Sequence, residues 1–398
     1  MKTVPAPLFT EFLAPPEAST HPVVQTAWAI SKGVAAKYAD DVDKSARFPS
    51  EAVDALREAG LLSLLTPTEF GGGGYDLSVA SGVARALAVN CTATALVFAM
   101  HTIEVEGLRL FGTTSAFQDF QRELVQQQLL IANAASEVGL GSDSGRSNCA
   151  LEQRDGSWSL EKQALAISYG RYADAIAVSA RATPDSPPNE QVVVMVRAAD
   201  AELTELSTWD TMGLRGTCSN SFLLRASGRN EMIFDKSLAE ISEQSGAQAT
   251  QIMISSVWVG LAEAAVSYVH RYARSKARKA IGTTTPAASR LAELVVKLQS
   301  ARSLLLGVVG TYNELIGSEQ AREPGWIVEA RNLKVATSTL AAEITSAALA
   351  VCGISAFRRE GQPSLDRLIR DAQGGLIMVS NDSNLQRNAQ VLVALKSI

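Results

Sequence analysis

Ala134-Ala135-Ser136-Glu137-Val138-Gly139-Leu140-Gly141-Ser142-Asp143 is the stretch on which the reading of the whole chain turns. Before it, residues 22–128 carry apolar side chains at helical spacing. After it, as far as about Asp235, the pattern changes to short runs rich in valine, isoleucine and leucine. The stretch packs two glycines, two serines and two acids into a turn. Small residues let main-chain N–H groups approach an anion, and serine hydroxyls add donors whose strength does not depend on pH. The same composition also suits an ordinary turn between strands. Gly139-x-Gly141 lacks a third glycine at the right offset and a following helix, so the dinucleotide fingerprint fails.

Working outward, Phe48-Pro49-Ser50-Glu51 fits a helix start and Gly60 a helix stop, with Val53 and Leu56 on the apolar face between them. The four glycines Gly71 to Gly74 require a loop. Ser81 to Met100 reads as one alanine-rich helix closed by His101, a position where a histidine is either a satisfied core side chain or a catalyst. Expected strands are Leu130–Ala135, Ser157–Ser168, Ala173–Ala180, Gln191–Val196 and Ser221–Arg225. Their close spacing without intervening helices favours an antiparallel barrel or sandwich. Beyond Gln244 the pattern is helical again. Val257, Leu261, Ala264, Tyr268 and Tyr272 share one face, Leu291, Leu294, Leu298 and Leu305 another, and further helices are expected from about Trp326 to Val351 and after Pro363. The fold class is therefore α+β, mostly α: an arm (1–21), an N-terminal helical domain (22–128), a middle β domain (129–240) and a C-terminal four-helix bundle (241–398). The bundle's faces also offer an oligomer interface, dimer or tetramer.

Composition narrows the function. Apolar residues make up 46% of the 398 and charged residues 19%, a globular balance. With 36 basic against 41 acidic residues and no block of like charge, nothing marks a nucleic-acid or anionic-membrane surface. Cys91, Cys149, Cys218 and Cys352 form no C-x-x-C pair, and the three histidines lack metal-ligand spacing, so no metal site and no disulfide framework are expected. Uninterrupted apolar runs are shorter than a membrane span requires, and no signal-peptide core follows Met1; a cytoplasmic location is the expectation.

Four motifs in order resemble the acyl-CoA dehydrogenase superfamily of flavoproteins, which includes flavin-dependent monooxygenases of the same fold. Ser136 to Asp143 is similar to the family's Thr-Glu-Pro-x-x-Gly-Ser-Asp turn. Ala166-Ile167-Ser168 ahead of Tyr169-Gly170 resembles its Trp-Ile-Thr strand, and Trp209 to Ser219 its W-x-x-x-G-x-R-G-T-x-S. Cys352 to Phe357 with Arg370-Asp371 resembles its C-terminal Gly-Gly loop and Arg-Asp pair. The resemblance implies FAD, or FMN for a monooxygenase. It places Ala135 and Ser136 on the pyrimidine side of the flavin, Gly141 and Ser142 at a phosphate, and Ile167 and Ser168 along the other face, with the Ser168 hydroxyl near flavin N5. The stacking tryptophan is Ala166 here. Arg278, in a degraded Arg-x-x-Phe-Gly element, is implied as a phosphate partner, with Arg274 and Lys276 competing for the role. Gly353 and residues after Arg370, with Asn381 and Ser383, would approach the flavin of a neighbouring subunit.

The chain departs from the family at the catalytic base. Dehydrogenation of an acyl thioester needs a carboxylate to remove the α-proton. The family's glutamate position is Val379, and the alternative position falls near Thr250. Ser380 and Asn381 follow the vacancy and Asp382 is the nearest carboxylate, a base if the loop shifts by a residue or more and otherwise a helix cap or surface residue; His101 is the candidate if the chemistry is that of a monooxygenase. Three readings follow: a dehydrogenase of an acyl thioester that passes electrons to an acceptor flavoprotein; a monooxygenase of a small organic substrate, fed by a flavin reductase; and a flavin-binding protein without catalysis.

Overall fold

The computed structural model describes residues 19–140, 145–279, 283–358 and 365–395. In chain order its helical first part comprises α1 (Pro22–Ile30), continued through a π turn into α2 (Ala36–Ser45), then α3 (Ser50–Glu58), α4 (Leu77–Ala88), α5 (Thr92–Phe111) and α6 (Ser115–Gln127). The β part follows as β1 (Ile131–Ala134), β2 (Glu152–Arg154), β3 (Ser157–Ala164), β4 (Ala175–Arg181), β5 (Gln191–Arg197), β6 (Ala201–Ser207) and β7 (Ser221–Arg229). The last part holds α7 (Leu238–Ile241), α8 (Ala247–Ala277), α9 (Pro286–Leu315), α10 (Pro324–Cys352), α11 (Ile354–Phe357), α12 (Leu365–Ile377) and α13 (Asn381–Ala394).

Helix α8 organises the packing. Its apolar residues are spread around the helix, and along residues 248–266 nearly every one is buried, which is how a helix enclosed on all sides reads. It lies against α9, α10 and α12 of the bundle and against α4 and α5 of the first domain. Gly260 makes the close approach to α4: a Cβ there would stand 2.5 Å from the Arg85 carbonyl oxygen and 2.8 Å from Ala88 Cβ. Gly260→Ala should therefore cost about 1–3 kcal/mol through overpacking, although alanine is the better helix former. Chemical denaturation of the two proteins measures this, and an unchanged or raised midpoint would refute it.

Helix starts follow local chemistry. Asp76 accepts the N–H groups of Ser78 and Val79 to cap α4, Thr285 caps α9 ahead of Pro286, and Pro324 opens α10. The single helix expected from Ser81 to Met100 is instead two. Cys91 is extended, and Asn90 is held by tertiary bonds, its amide donating to Ser31 Oγ at 3.0 Å and its carbonyl accepting from Arg367 at 2.9 Å. His101 thus lies in mid-helix on α5 and closes nothing.

The β part is two sheets, β1-β4-β5 and β2-β3-β7-β6. The second is antiparallel throughout, as expected. The first contains a parallel pair, with Ile131 opposite Ala175, because β1 and β4 are joined by a long excursion through β2 and β3. The short strands β2 and β6 were not anticipated: β2 is wholly exposed, and β6 lacks a run of β-branched residues.

Three bundle segments, Leu238–Ala277, Pro286–Leu315 and Pro324–Cys352, are long and apolar enough to cross a membrane by length and composition alone. This qualifies the expectation drawn from short apolar runs. The apolar window of the first is 89% buried inside the protein, those of the others 33% and 39%.

Candidate functional site

The decisive turn folds back on the end of β3. Val138 N–H donates to Gln163 O at 3.0 Å, and Leu165 N–H donates to Ser136 O at 3.3 Å. The Ser136 hydroxyl then grips Ala166 from both sides, donating to its carbonyl at 3.1 Å and accepting its N–H at 3.2 Å. Beyond this clamp, Ile167 N–H reaches Asn220 O at 3.0 Å and Tyr169 N–H reaches Thr217 O at 2.7 Å. Segments 134–138, 165–169 and 209–220, far apart in sequence, thereby form one shelf. Ala135, Ser136, Ala166 and Ser168 are half-buried on it, and Val138 and Leu165 stand exposed beside them.

A buried charge pair holds the turn from behind. Glu137 accepts the Ser147 hydroxyl at 2.7 Å and the N–H groups of Asn148 and Cys149 at 3.0 and 3.1 Å. Lys162 Nζ lies 3.5 Å from the same carboxylate and donates to Ser179 O at 2.7 Å. Lys162 occupies an inward position of β3, between Leu160 and Ala164, and burial pushes its ammonium below the usual lysine range. Satisfying such a charge with three partners fixes the turn in one register.

From Ser168 a string of hydroxyls runs inward. Ser168 Oγ is 2.8 Å from Ser219 Oγ, which is 2.8 Å from Thr217 Oγ1, and Thr217 donates to Leu214 O at 2.9 Å. The Trp209 indole N–H donates to the same carbonyl at 3.1 Å, which explains why the tryptophan motif matters to a serine 41 positions upstream in sequence.

A carboxyl group that sequence reasoning missed reaches the shelf from α5. Asn133 is the exposed residue of β1, and its amide donates to Glu104 Oε1 at 3.0 Å while its Oδ1 accepts the Ala135 N–H at 3.0 Å. Glu104 also lies close enough to Tyr169 for its charge to raise the phenol further above a value already lifted by burial. Glu104 is half-buried, and loss of solvent around its carboxyl raises the pKa to about 8, against an opposing effect of the Asn133 amide. The signal available in sequence was a glutamate within an otherwise apolar helical face, too common a feature to select.

The other expected site residues fall into three groups. His101 is a correction. Its Nε2–H donates to Leu62 O at 2.7 Å, its Nδ1 accepts the Ile131 N–H at 3.0 Å, and burial lowers its pKa to about 4. It is a neutral cross-link between main chains with no nitrogen left for a substrate. Ile167 is also corrected: its side chain is fully buried and its N–H is taken, so it supports the shelf from beneath.

Around position 379 the polar groups serve the helix junction. Val379 has φ 49°, a strained value for a β-branched residue. The Ser380 hydroxyl accepts the Ser383 N–H as the cap of α13, and Asp382 is exposed in the first turn, where an acid complements the helix dipole. Asn381 spends its amide on α10, accepting from Lys334 Nζ at 2.7 Å and donating to Ser338 Oγ at 3.1 Å. Lys334 is itself pushed down to about 8 by burial.

Gly141 and Ser142 lie outside the described residues. Arg278 is exposed at the end of α8, and Gly353 turns between α10 and α11 at φ 60°, ψ −143°, a glycine-only conformation with open space where a Cβ would stand. Among the described residues neither is hydrogen-bonded to the shelf.

Arg370 and Asp371 clasp the three parts of the chain. Arg370 donates to both oxygens of Asp43 on α2 and to Met212 O, while buried Asp371 accepts the Leu214 N–H at 2.7 Å. The hydroxyl string ends at that same Leu214, so the clasp positions it. A cavity of about 860 Å³ lies elsewhere, between α6 and the outer edge of the β sheets near Trp158 and Arg197, and includes none of these residues.

Comparison with known proteins agrees with this layout. Family models for the N-terminal and C-terminal domains of acyl-CoA dehydrogenases match residues 20–128 and 252–378. The chain is 25% identical over 340 residues to a cyclohex-1-ene-1-carbonyl-CoA dehydrogenase of Syntrophus aciditrophicus, covering 84% of this chain and 80% of that one. In structure it is similar to butyryl-CoA dehydrogenase from Megasphaera elsdenii, with a TM-score of 0.82, 18% identity and coverage of 99% and 100%. It is similar as well to FMN-bound TdsC from Paenibacillus sp. A11-2, with a TM-score of 0.83, 20% identity and coverage of 94% and 98%; TdsC is a dibenzothiophene monooxygenase.

Proposed function

Because this chain belongs to the acyl-CoA dehydrogenase superfamily and is a flavin-dependent oxidoreductase, we propose that it binds FAD on the Ser136–Ser168 shelf and catalyses α,β-dehydrogenation of an acyl thioester. The observation that carries this reading is the Ser136 clamp on Ala166, which sets two half-buried main-chain edges and the Ser168 hydroxyl side by side.

The residues present fit a flat heteroaromatic ring. Val138 and Leu165 are 42% and 46% exposed, apolar surface that a ring would cover, and Ser168 supplies a hydroxyl at the ring's edge. Ala166 gives no aromatic stack, so shape and hydrogen bonding carry more of the binding. When bound, the flavin supplies the acceptor for the hydride that leaves the β-carbon. The chain itself supplies the proton acceptor. With Val379 in the glutamate position, the carboxyl joined to the shelf is Glu104, held by Asn133 and set to exchange a proton near neutral pH. A second flavoprotein would serve as the electron acceptor.

Gly353, with Ile354 and Phe357 exposed at 72% and 71%, supports a second copy of the chain packing at that end of the bundle, as a dimer or tetramer. Four free cysteines are in keeping with a cytoplasmic location.

One observation favours a second reading. The valine at position 379 removes the usual base, and a monooxygenase using reduced FMN and oxygen on a small organic substrate needs none. The two separate in one experiment. The protein should purify yellow and be bleached by an acyl-CoA without oxygen. If it purifies colourless and consumes oxygen only with a flavin reductase, the second reading replaces the first.

A further inference from the structure

We infer that the hydroxyl string from Ser168 through Ser219 and Thr217 makes Ser168 a hydrogen-bond acceptor toward its ligand, and so biases the site toward reduced over oxidised flavin. The inference rests on the reading that Ser168 meets the flavin at N5, and goes beyond it by assigning a sense to that contact.

Counting hydroxyl protons fixes the sense of the string. Leu214 O can only accept, so Thr217 must donate to it across the 2.9 Å contact. Thr217 has one hydroxyl proton, so its 2.8 Å contact with Ser219 is a hydrogen bond only if Ser219 donates. Ser219 has then spent its own proton, so Ser168 must donate to Ser219 at 2.8 Å. All three contacts are hydrogen bonds in this one sense. The reverse sense, with Ser168 donating outward, forfeits the bond to Leu214 O. Leu214 O would still accept the Trp209 indole N–H and the Thr217 N–H, each at 3.1 Å, so the reverse sense costs one hydroxyl hydrogen bond inside the string and leaves no buried group unpaired.

Ser168 therefore offers lone pairs to whatever lies on the shelf. Oxidised flavin presents an acceptor at N5 and reduced flavin an N–H donor, so only the reduced form is matched. One hydrogen bond at stake corresponds to roughly a two- to tenfold preference. For a two-electron couple, tenfold is about 30 mV toward a more positive potential. Ser219 and Thr217 act through Ser168 and are positioning residues.

The test compares dissociation constants of oxidised and dithionite-reduced FAD and FMN, anaerobically, for the whole protein and its Ser219→Ala, Ser219→Thr and Thr217→Val variants, together with the two-electron potential of the bound flavin. The parent should hold reduced flavin more tightly. Ser219→Ala and Thr217→Val each free the Ser168 proton to turn outward, so the oxidised-to-reduced ratio of dissociation constants should fall by about the same two- to tenfold. Ser219→Thr, which keeps the hydroxyl, should retain the parent ratio. Flavin bound by all four proteins with an unchanged ratio overturns the string while leaving the shelf intact. Absence of flavin binding in the folded parent overturns both the string and the shelf.

Discussion

Glu104→Gln is expected to slow anaerobic reduction of the bound flavin by an acyl thioester about 10²- to 10⁴-fold, the range of a lost general base. Glutamine keeps an oxygen to accept the Asn133 amide, so Asn133 still holds the Ala135 N–H and flavin binding should be little changed. A loss of flavin affinity matching the loss of rate would assign Glu104 to cofactor binding instead.

The pH dependence gives the same residue a second signature. A base acts in its ionised form, so the reduction rate should rise with pH and level off above about 8, where the raised Glu104 carboxyl has lost its proton. Stability should move the other way. The folded pKa lies above the ordinary value of 4.5, so between about 4.5 and about 8 the native state holds a proton that the unfolded state has released. This contribution is complete below the unfolded value and is lost as pH rises through the window. Glu104→Gln should flatten both the rate profile and that part of the stability curve. A rate profile of unchanged shape in the variant would place the base elsewhere.

The fold was largely legible because its signals are additive over long segments: period-3.6 apolar faces in α8 to α10, short runs in β3 to β5 and β7, and motif order. The shelf was legible where its parts are contiguous, as in the segments around Ser136 and Ser168. It was not legible where function depends on which neighbour a side chain meets. His101 and Glu104 lie within one helix turn of each other on α5, and nothing in their local sequence says that one is locked between Leu62 and Ile131 while the other faces Asn133. Lys162 could have been flagged, because strand alternation turns it inward with Trp158 and Leu160, where a charge demands a partner. Ser380, Asn381 and Asp382 were drawn to function by their distance from a family position, whereas the strained turn at Val379 and the need to cap α13 account for two of them.

Glu263→Ala is expected to destabilise the protein by about 3–5 kcal/mol, with a fall in melting temperature on the order of 4–6 °C. Glu263, on α8, is buried, and its Oε1 accepts from Arg85 on α4 at 2.5 Å and from Arg302 on α9 at 2.7 Å. Desolvating three charges is expensive, and the arrangement holds because one carboxylate lies between two guanidinium groups. Alanine removes the anion and leaves the buried Arg85 and the half-buried Arg302 without this carboxylate between them, so the variant keeps much of the desolvation cost and loses the attraction that offset it. Glu263→Gln should fall between the two, since it fills the volume and accepts one hydrogen bond but restores no charge. Replacing all three residues by methionine should recover most of the loss, because apolar packing needs no compensation. A Glu263→Ala protein within 1 kcal/mol of the parent in chemical denaturation would show that water already relieves these charges. The consequence for function follows from position. α4 and α5 pack on α8, and α5 carries Glu104, so loosening this triad lets the helix that bears the proposed base move relative to the shelf. The alanine variant should therefore lose flavin reduction at temperatures well below its unfolding transition, while Glu104→Gln loses it at every temperature.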